Sequence, residues 1–590
     1  MHHQEINYKE VYDYTVIGSG FGGSVSAMRL TEKGYRVLVL ERGKRYGAED
    51  FPITNMNIFK YLWLPSLRCF GIQGLDFYRD IWALTGSGVG GGSLVYAGVD
   101  IEPGKEFFES EDWRHLADWE AELKPHYKTA KQMLGVTENP LLWPADRIMA
   151  DIADEMGQGD TFRPTPVAIY FGEPGKTVPD PFFDGQGPER AGCIHCGGCM
   201  VGCRYNSKNS LDKNYLYFAE KWGAKILPEA NVVNIRPLYG EQEDNARYEI
   251  VYERTTDWFY KRRRTVRTRN VVIAAGVFGT VGLLLKCRDD THTLPMLSCH
   301  VGENVRTNSE ALMGVTAFND DVDYSEGVAI TSQFWADDLT SVEPVRYSPG
   351  SSFMRTLTMP LIEPQSSLKG RLITAISTII RKPKDFLAVR ILPRWAKRNT
   401  VLLVMQTVEN RMRLKRGRDI WTAFRRGLVS EPDEIEPIPA VLHVGNNITR
   451  RFAQKAKGAP WSGVNVGILG SPVTAHILGG CKIGSDEESG VVDVNHGLFN
   501  YPGLFVVDAS VIPSNLGVNP SLTITAMSER AMSKIPEAAQ VEAYAPLERP
   551  AGFPPEKSDS RSVVIGGKIA VTLLALSMIL FVLRWLVQKK

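Results

Sequence analysis

Chemistry is legible first in a short glycine run. Gly18, Gly20 and Gly23 give G-x-G-x-x-G within Gly18-Ser19-Gly20-Phe21-Gly22-Gly23. In that pattern the first glycine makes a tight turn, the second lets backbone approach a pyrophosphate, and the third lets a helix pack on a strand. Glu41 lies 23 residues after Gly18, where a carboxylate can accept hydrogen bonds from adenosine ribose hydroxyls. Tyr14 to Glu41 therefore predicts a dinucleotide seat. A second run, Gly86 to Gly98, holds six glycines in thirteen residues, among them Gly86, Gly88, Gly90, Gly91 and Gly92, followed by Ser93. Such a run brings backbone N–H groups against a large planar cofactor and its phosphates. A flexible linker is the alternative, against which Leu94, Val95 and Tyr96 argue.

Near the other end, Asp508 closes an apolar run, and Asn519-Pro520 has the order of an N-cap and a first helical residue before Ser521 to Lys534. The positive end of that helix favours an anionic reduced flavin ring. The fingerprint alone does not separate FAD from NAD; the second glycine run and this helix start turn the reading to FAD. Asp508 is expected to touch cofactor hydroxyls, with a strand-end cap as the alternative.

Cys193, Cys196, Cys199 and Cys203 have the spacing C-x2-C-x2-C-x3-C, which matches the ferredoxin run that ligates an iron–sulfur cluster. No proline follows Cys203, and no second run is present. The same thiols suit a zinc site or a redox pair, or pack as free cysteines in a glycine-rich loop.

These residues need elements to hold them. Tyr14 to Ile17, Ser24 to Lys33 and Arg36 to Leu40 predict a strand, a helix and a strand, which is a Rossmann-like opening. Asn270 to Ala275, Val401 to Val408 and Leu504 to Val507 are further buried-strand candidates, and Trp119 to Leu134 is an amphipathic helix. The expected fold is α/β: a Rossmann-like FAD-binding domain from discontinuous segments (11–100, 211–310 and 461–535) plus an α+β substrate domain. The substrate region comprises 101–210, with the cysteines, and 311–460; a linker over 536–562 leads to a C-terminal transmembrane helix over 563–583.

The segments VIGSGFGGSVSAMRL, GSGVGGGSLVYA, GCIHCGGCMVGC followed by KNSLDKNYL, VRTNSE, TAHILGGCKIG and VDASVIPSNLGVNPSLTITA make residues 11 to 535 resemble the glucose-methanol-choline (GMC) oxidoreductases, in their cholesterol oxidase-like branch. The resemblance implies FAD and oxidation of a sterol-like or other lipophilic alcohol, with oxygen or a membrane electron acceptor taking the electrons. It also implies that His476 handles the substrate hydroxyl proton and that Asn519 bonds near the same oxygen. By itself His476 also reads as a core histidine. Where secreted sterol oxidases place an asparagine in the second glycine run, this chain has Tyr96. Their double-bond-isomerising glutamate has no evident match; Glu363 and Glu409 are candidates by composition only, and both read equally as ordinary carboxylates. Two other readings keep the fold: a membrane-anchored dehydrogenase using the cysteine cluster, and a non-catalytic flavin-binding protein.

Lys plus Arg number 68 and Asp plus Glu 67, which gives no reason to expect nucleic acid as a partner. The polar N-terminus lacks a signal-peptide core, and four of eight cysteines crowd into eleven residues, which favours a reducing compartment. Val563 to Leu583 has one charge, Lys568, and would span about 31 Å as a helix. It predicts a single-pass C-terminal anchor with the catalytic domain on the cytoplasmic side. Basic residues from Arg381 to Arg398 interleave with Phe386, Leu387, Ile391, Leu392 and Trp395, which suits an anionic lipid surface or a solvated helix face.

Overall fold

The dinucleotide pattern folds as its spacing predicts. The structure is a computed structural model that describes residues 10–550 apart from 259 and 364–366. Strand Val11–Ile17, helix Phe21–Glu32 and strand Val37–Leu40 open it. The two strands run parallel with Val16 opposite Val39. Val37–Leu40 is buried throughout, which explains its unbroken apolar composition.

The first sheet runs Lys225–Leu227, Val37–Leu40, Val11–Ile17, Arg263–Ile273, Tyr248–Arg254 and Ala230–Pro237, with Leu504–Val506 laid parallel against the end of Arg263–Ile273. Its strands come from three distant stretches of chain. A second sheet is antiparallel, in the order Thr358–Pro360, Gly458–Gly463, Ala311–Ala317, Asn399–Gln406, Thr340–Val345, Ser332–Asp337 and Arg163–Pro164. A third, smaller sheet pairs Trp82–Gly86 with Val473–Thr474, which carries the second glycine run to the His476 segment.

Three expectations change. The last helix spans Ser521–Ser533 with Pro520 at its N-cap, and Asn519 lies outside it; the Asn519 side chain turns to a carboxylate, as described below. In the basic stretch, Trp395 is buried, and Arg390 donates to the carbonyls of Arg355, Thr356 and Thr358, so much of that segment is internal packing. Leu387 and Ile391 of that stretch remain exposed, and the preceding helix Leu368–Arg381 adds an exposed apolar face at Leu368, Leu372, Ile373, Ile376 and Ile380. The single-pass membrane anchor is also corrected. Among the described residues no helix is long and apolar enough to cross a membrane, and the segment behind that expectation, 563–583, lies outside them.

Candidate active site

Three separate segments converge on one cradle. A Cβ at Gly22 would sit on the Val507 carbonyl, one at Gly23 on the Gly18 carbonyl, and one at Gly91 on the Gly20 Cα. The fingerprint, the second glycine run and the strand before Asp508 therefore touch backbone to backbone, which only glycine permits. A Cβ at Gly20 would meet nothing within 4 Å. That is the position the fingerprint reserves for pyrophosphate.

Glu41 ties the two glycine loops together. Its buried carboxylate accepts from Ser19 Oγ at 2.7 Å, Ser19 N at 3.1 Å, Gly43 N at 2.8 Å and Gly88 N at 3.4 Å. Gly90 N in turn donates to Ser19 Oγ, while Ser93 donates to Gly90 and accepts from Leu211 N. Asp508 accepts from Ser510 N, Gly276 N and Thr280 Oγ1, so it caps its own turn and braces the sheet. Burial raises its pKa.

The helices that start at Phe21 and Ser521 have no side-chain cap and no acidic residue in their first turns. Their N-terminal N–H groups and dipoles are left for an anionic ligand. An open Gly20 beside an uncapped helix fits the pyrophosphate of FAD, and the Pro520 end fits a ring that becomes anionic on reduction.

A second group of candidate side chains gathers where the second and third sheets meet the loop that carries Asn519. His476 Nδ1 lies 3.0 Å from Glu310 Oε2, and the histidine side chain keeps 12% exposure while Glu310 keeps none. Glu310 is itself fixed by Thr474 Oγ1 at 2.7 Å and by Ala475 N. Burial pulls the imidazole pKa down, but the Glu310 charge outweighs it and His476 ends above its ordinary value. Asn519 Nδ2 donates to Glu343 Oε2 at 3.3 Å. Burial pushes the Glu343 carboxyl up to about 7, with the Asn519 bond pulling the other way. Asn519 Oδ1, Glu343 Oε1 and His476 Nδ1 are buried without a hydrogen-bond partner in the protein, so each has capacity left for a ligand.

Local sequence explains this placement. Asn308, in the left-handed region at φ 58°, accepts from Leu516 N and Gly517 N and donates to the Val518 carbonyl. It thereby holds the loop that delivers Asn519. Strand register sets Ala311 opposite Val404 and Glu343 opposite Leu403, which brings Glu310 and Glu343 to either side of the strand Asn399–Gln406. Sequence reasoning missed both glutamates. The available signals were Glu310 at the end of VRTNSE, and Glu343 as the one acid in the wholly buried strand Thr340–Val345.

The other expected residues lie elsewhere. Glu363 is exposed and paired with Arg450, and Glu409 pairs with Arg306; neither is among the groups around His476. Tyr96 packs edge-on against Phe21, ring centroids 5.4 Å apart, so it joins the glycine run to the fingerprint helix. The four cysteines line one cavity. Among the described residues, however, no three His, Cys, Asp or Glu side chains form a group that could hold a metal ion. Neither the iron–sulfur reading nor the zinc reading of Cys193, Cys196, Cys199 and Cys203 is supported by that arrangement, in which all four are free cysteines.

Comparison with known proteins agrees with this geometry. GMC oxidoreductase family models match residues 188–307 and 409–528, and an NAD(P)-binding Rossmann-like domain model matches 16–58. A cholesterol oxidase of Acinetobacter baumannii is 42% identical over 529 residues, 89% of this chain and 94% of that one. A cholesterol oxidase of Mycobacterium tuberculosis (strain CDC 1551 / Oshkosh) is 43% identical over 558 residues, covering 92% and 94%. The crystal structure of pyridoxine 4-oxidase from Mesorbium loti superposes with a TM-score of 0.55 at 15% identity, covering 89% of this chain and 99% of its own, which is a likeness of fold. The chain is thus an FAD-dependent oxidoreductase acting on CH–OH donors, and it belongs to the GMC oxidoreductase family, in the cholesterol oxidase-like branch.

Proposed function

We propose that the protein oxidises the secondary hydroxyl of a sterol-like or other lipophilic alcohol to the carbonyl, with oxygen as the final acceptor. The observation that carries this reading is the buried His476–Glu310 pair, linked through Glu343 to Asn519 just before an uncapped helix. Bound FAD supplies the hydride acceptor. Gly20 and the Phe21–Glu32 helix start would hold its pyrophosphate, and Glu41 with Ser19 keeps the two glycine loops in register. His476 takes the hydroxyl proton, the Glu310 carboxylate 3.0 Å from its Nδ1 favours the resulting imidazolium, and Asn519 Oδ1 or Nδ2 bonds near the alcohol oxygen.

The sterol assignment draws on the cholesterol oxidases among the relatives and on apolar surfaces near the site. A small cleft one residue along the chain from Glu310 is lined by Ala311, Leu312, Met313, Ile362 and Val466, with Glu363 and Arg371 also on its wall. The exposed apolar face of Leu368–Arg381, flanked by Lys369, Arg381, Lys382 and Lys384, suits contact with the lipid that carries such a substrate. His476→Ala is expected to keep bound flavin yet slow its anaerobic reduction at least about a hundredfold. Unchanged reduction by a panel of sterols and long-chain alcohols would remove the role.

Glu343 favours a second step. A carboxyl poised near pH 7 can take a proton from the carbon between a new carbonyl and a double bond, then return it at the far end, bringing the two into conjugation. Glu343→Gln is expected to leave alcohol oxidation within about tenfold while abolishing the conjugated product, read by its ultraviolet absorbance. Conjugated product at the wild-type rate would exclude Glu343.

A further inference from the structure

Asp100 lies two residues past the second glycine run, is wholly buried, and has no part in the chemistry above. Its backbone N–H donates to the Pro166 carbonyl, and its side chain meets the last helix at Ser521, the residue after Pro520. Ser521 Oγ lies 2.8 Å from Asp100 Oδ1 and 2.8 Å from the Val99 carbonyl oxygen. A hydroxyl has one proton to give, although it can also accept. Because a carbonyl cannot donate, Ser521 gives its proton to Val99, and its contact with Asp100 is a hydrogen bond only when the carboxyl is the donor. Asp100 Oδ2 is buried without a partner, which suits the carbonyl oxygen of an acid far better than half of a carboxylate.

The surroundings act in the same direction. Burial pushes the Asp100 carboxyl up to about 7. The ionisable neighbour on its own segment is Tyr96, which burial and then the Asp100 charge hold above the ordinary tyrosine range. Lys208 lies 5.1 Å from the centroid of the Tyr96 ring, with its Nζ engaged by the carbonyls of Leu94, Tyr96 and Cys199. Glu102 pairs with Lys131 at 2.6 Å, the last helix meets Asp100 through the Ser521 hydroxyl, and the strand Pro166–Val167 meets it through a carbonyl. Among the described residues no cation pairs with Asp100. The opposing influence is the helix start, whose positive end favours an anion. Asp100 and a flavin ring made anionic by reduction compete for that same end, and two negative charges there raise each other's proton affinity.

We propose that Asp100 is a positioning residue of the flavin site whose carboxyl holds a proton on Oδ1 against Ser521 whenever the flavin is reduced. The electrons arrive from the alcohol as hydride; the proton comes from solvent and forms the Oδ1–H bond. In the oxidised enzyme the same proton leaves at alkaline pH. The inference rests on the Pro520 end of the helix facing the flavin ring, and is independent of which alcohol is oxidised. Its test is the flavin midpoint potential of the FAD-loaded full chain, titrated electrochemically on both sides of neutrality with no alcohol present. Above neutrality each pH unit should make reduction of the wild type about tenfold less favourable relative to Asp100→Asn, which is about 30 mV for a two-electron couple; in acid the two potentials should run parallel. His476 and Glu343 are common to both proteins, so the difference isolates Asp100. In the infrared, an acid carbonyl band lost in Asp100→Asn should disappear at alkaline pH from the oxidised protein and persist in the reduced one. Potentials that stay parallel at every pH, or a carboxylate signal from Asp100 in acid, would overturn the proposal. If the variant does not hold flavin, wild-type protein isotopically labelled at the aspartate carboxyl carbon decides: labelled acid bands that titrate alike in oxidised and reduced enzyme overturn it. No arm uses an alcohol, so a failure of the proposed oxidation is read separately from a failure of this inference.

Discussion

At the residue scale, the proposed chemistry turns on a carboxylate set beside an imidazole, Glu310 Oε2 lying 3.0 Å from His476 Nδ1. Glu310 holds His476 above its ordinary pKa by its charge, and the imidazole must be neutral to accept the hydroxyl proton. Flavin reduction should therefore rise with pH as His476 loses its proton. Glu310→Gln removes the charge that stabilises the imidazolium, so the rising limb should move to lower pH while the maximal rate falls through loss of orientation. Stopped-flow reduction across pH checks both effects, and an unmoved limb would show that another group sets it. The segments that hold His476 and Asn519 were legible because each is a long, recognisable run. Glu310 and Glu343 were not, because what makes them candidates is contact across the fold: Thr474 meets Glu310 from 164 residues away, and Asn519 meets Glu343 from 176. Composition pointed instead to Glu363 and Glu409, whose environments, an exposed ion pair and a pairing with Arg306, are set by neighbours that no local pattern reveals.

At the element scale, the glycines of the fingerprint divide into two physical kinds. Gly22 is closed off by the Val507 carbonyl, whereas Gly20 faces open space, and its own backbone, at φ −71°, accepts any residue. Gly22→Ala is expected to destabilise the apoprotein by about 1–3 kcal/mol or more through overpacking. Gly20→Ala should leave apoprotein stability within about 0.5 kcal/mol and lower FAD affinity instead. Denaturant melts of apoprotein and flavin titrations separate the two; equal destabilisation by both would refute the distinction. The strand, helix and strand of 11–40 were legible because their period and glycine turn are local. The boundaries were less so. The first helix begins at Phe21 rather than Ser24 because Gly22 and Gly23 are helical residues that pack on Val507 and Gly18, a contact invisible to helix propensity. Likewise, Pro520 rather than Asn519 takes the N-cap because Asn519 is engaged by Glu343.

At the scale of the whole molecule, the cofactor seat is a joint between distant parts of the chain. Arg29 on the first helix pairs with Glu529 on the last, and Tyr215 donates to the same carboxylate. One buried apolar core runs from Val16 and Leu38 through Leu403 and Trp461 to Leu522, so the sheets are expected to melt together. Free FAD at about a hundred times its dissociation constant should add about 2.7 kcal/mol to the unfolding free energy, raising the melting temperature of the entire described fold in one transition. A calorimetric trace in which only one of two transitions responds to FAD would contradict this. The same joint bears on how the protein is made. Gly23 and Asn519 lie on the two sides of the cradle, and a ribosome adding about 5–20 residues per second takes roughly 25–100 s to go from one to the other. Through that interval the nascent fingerprint has no Val507 carbonyl to pack against, so cofactor capture falls at the end of synthesis, and cells short of flavin would accumulate finished chains rather than stalled ones.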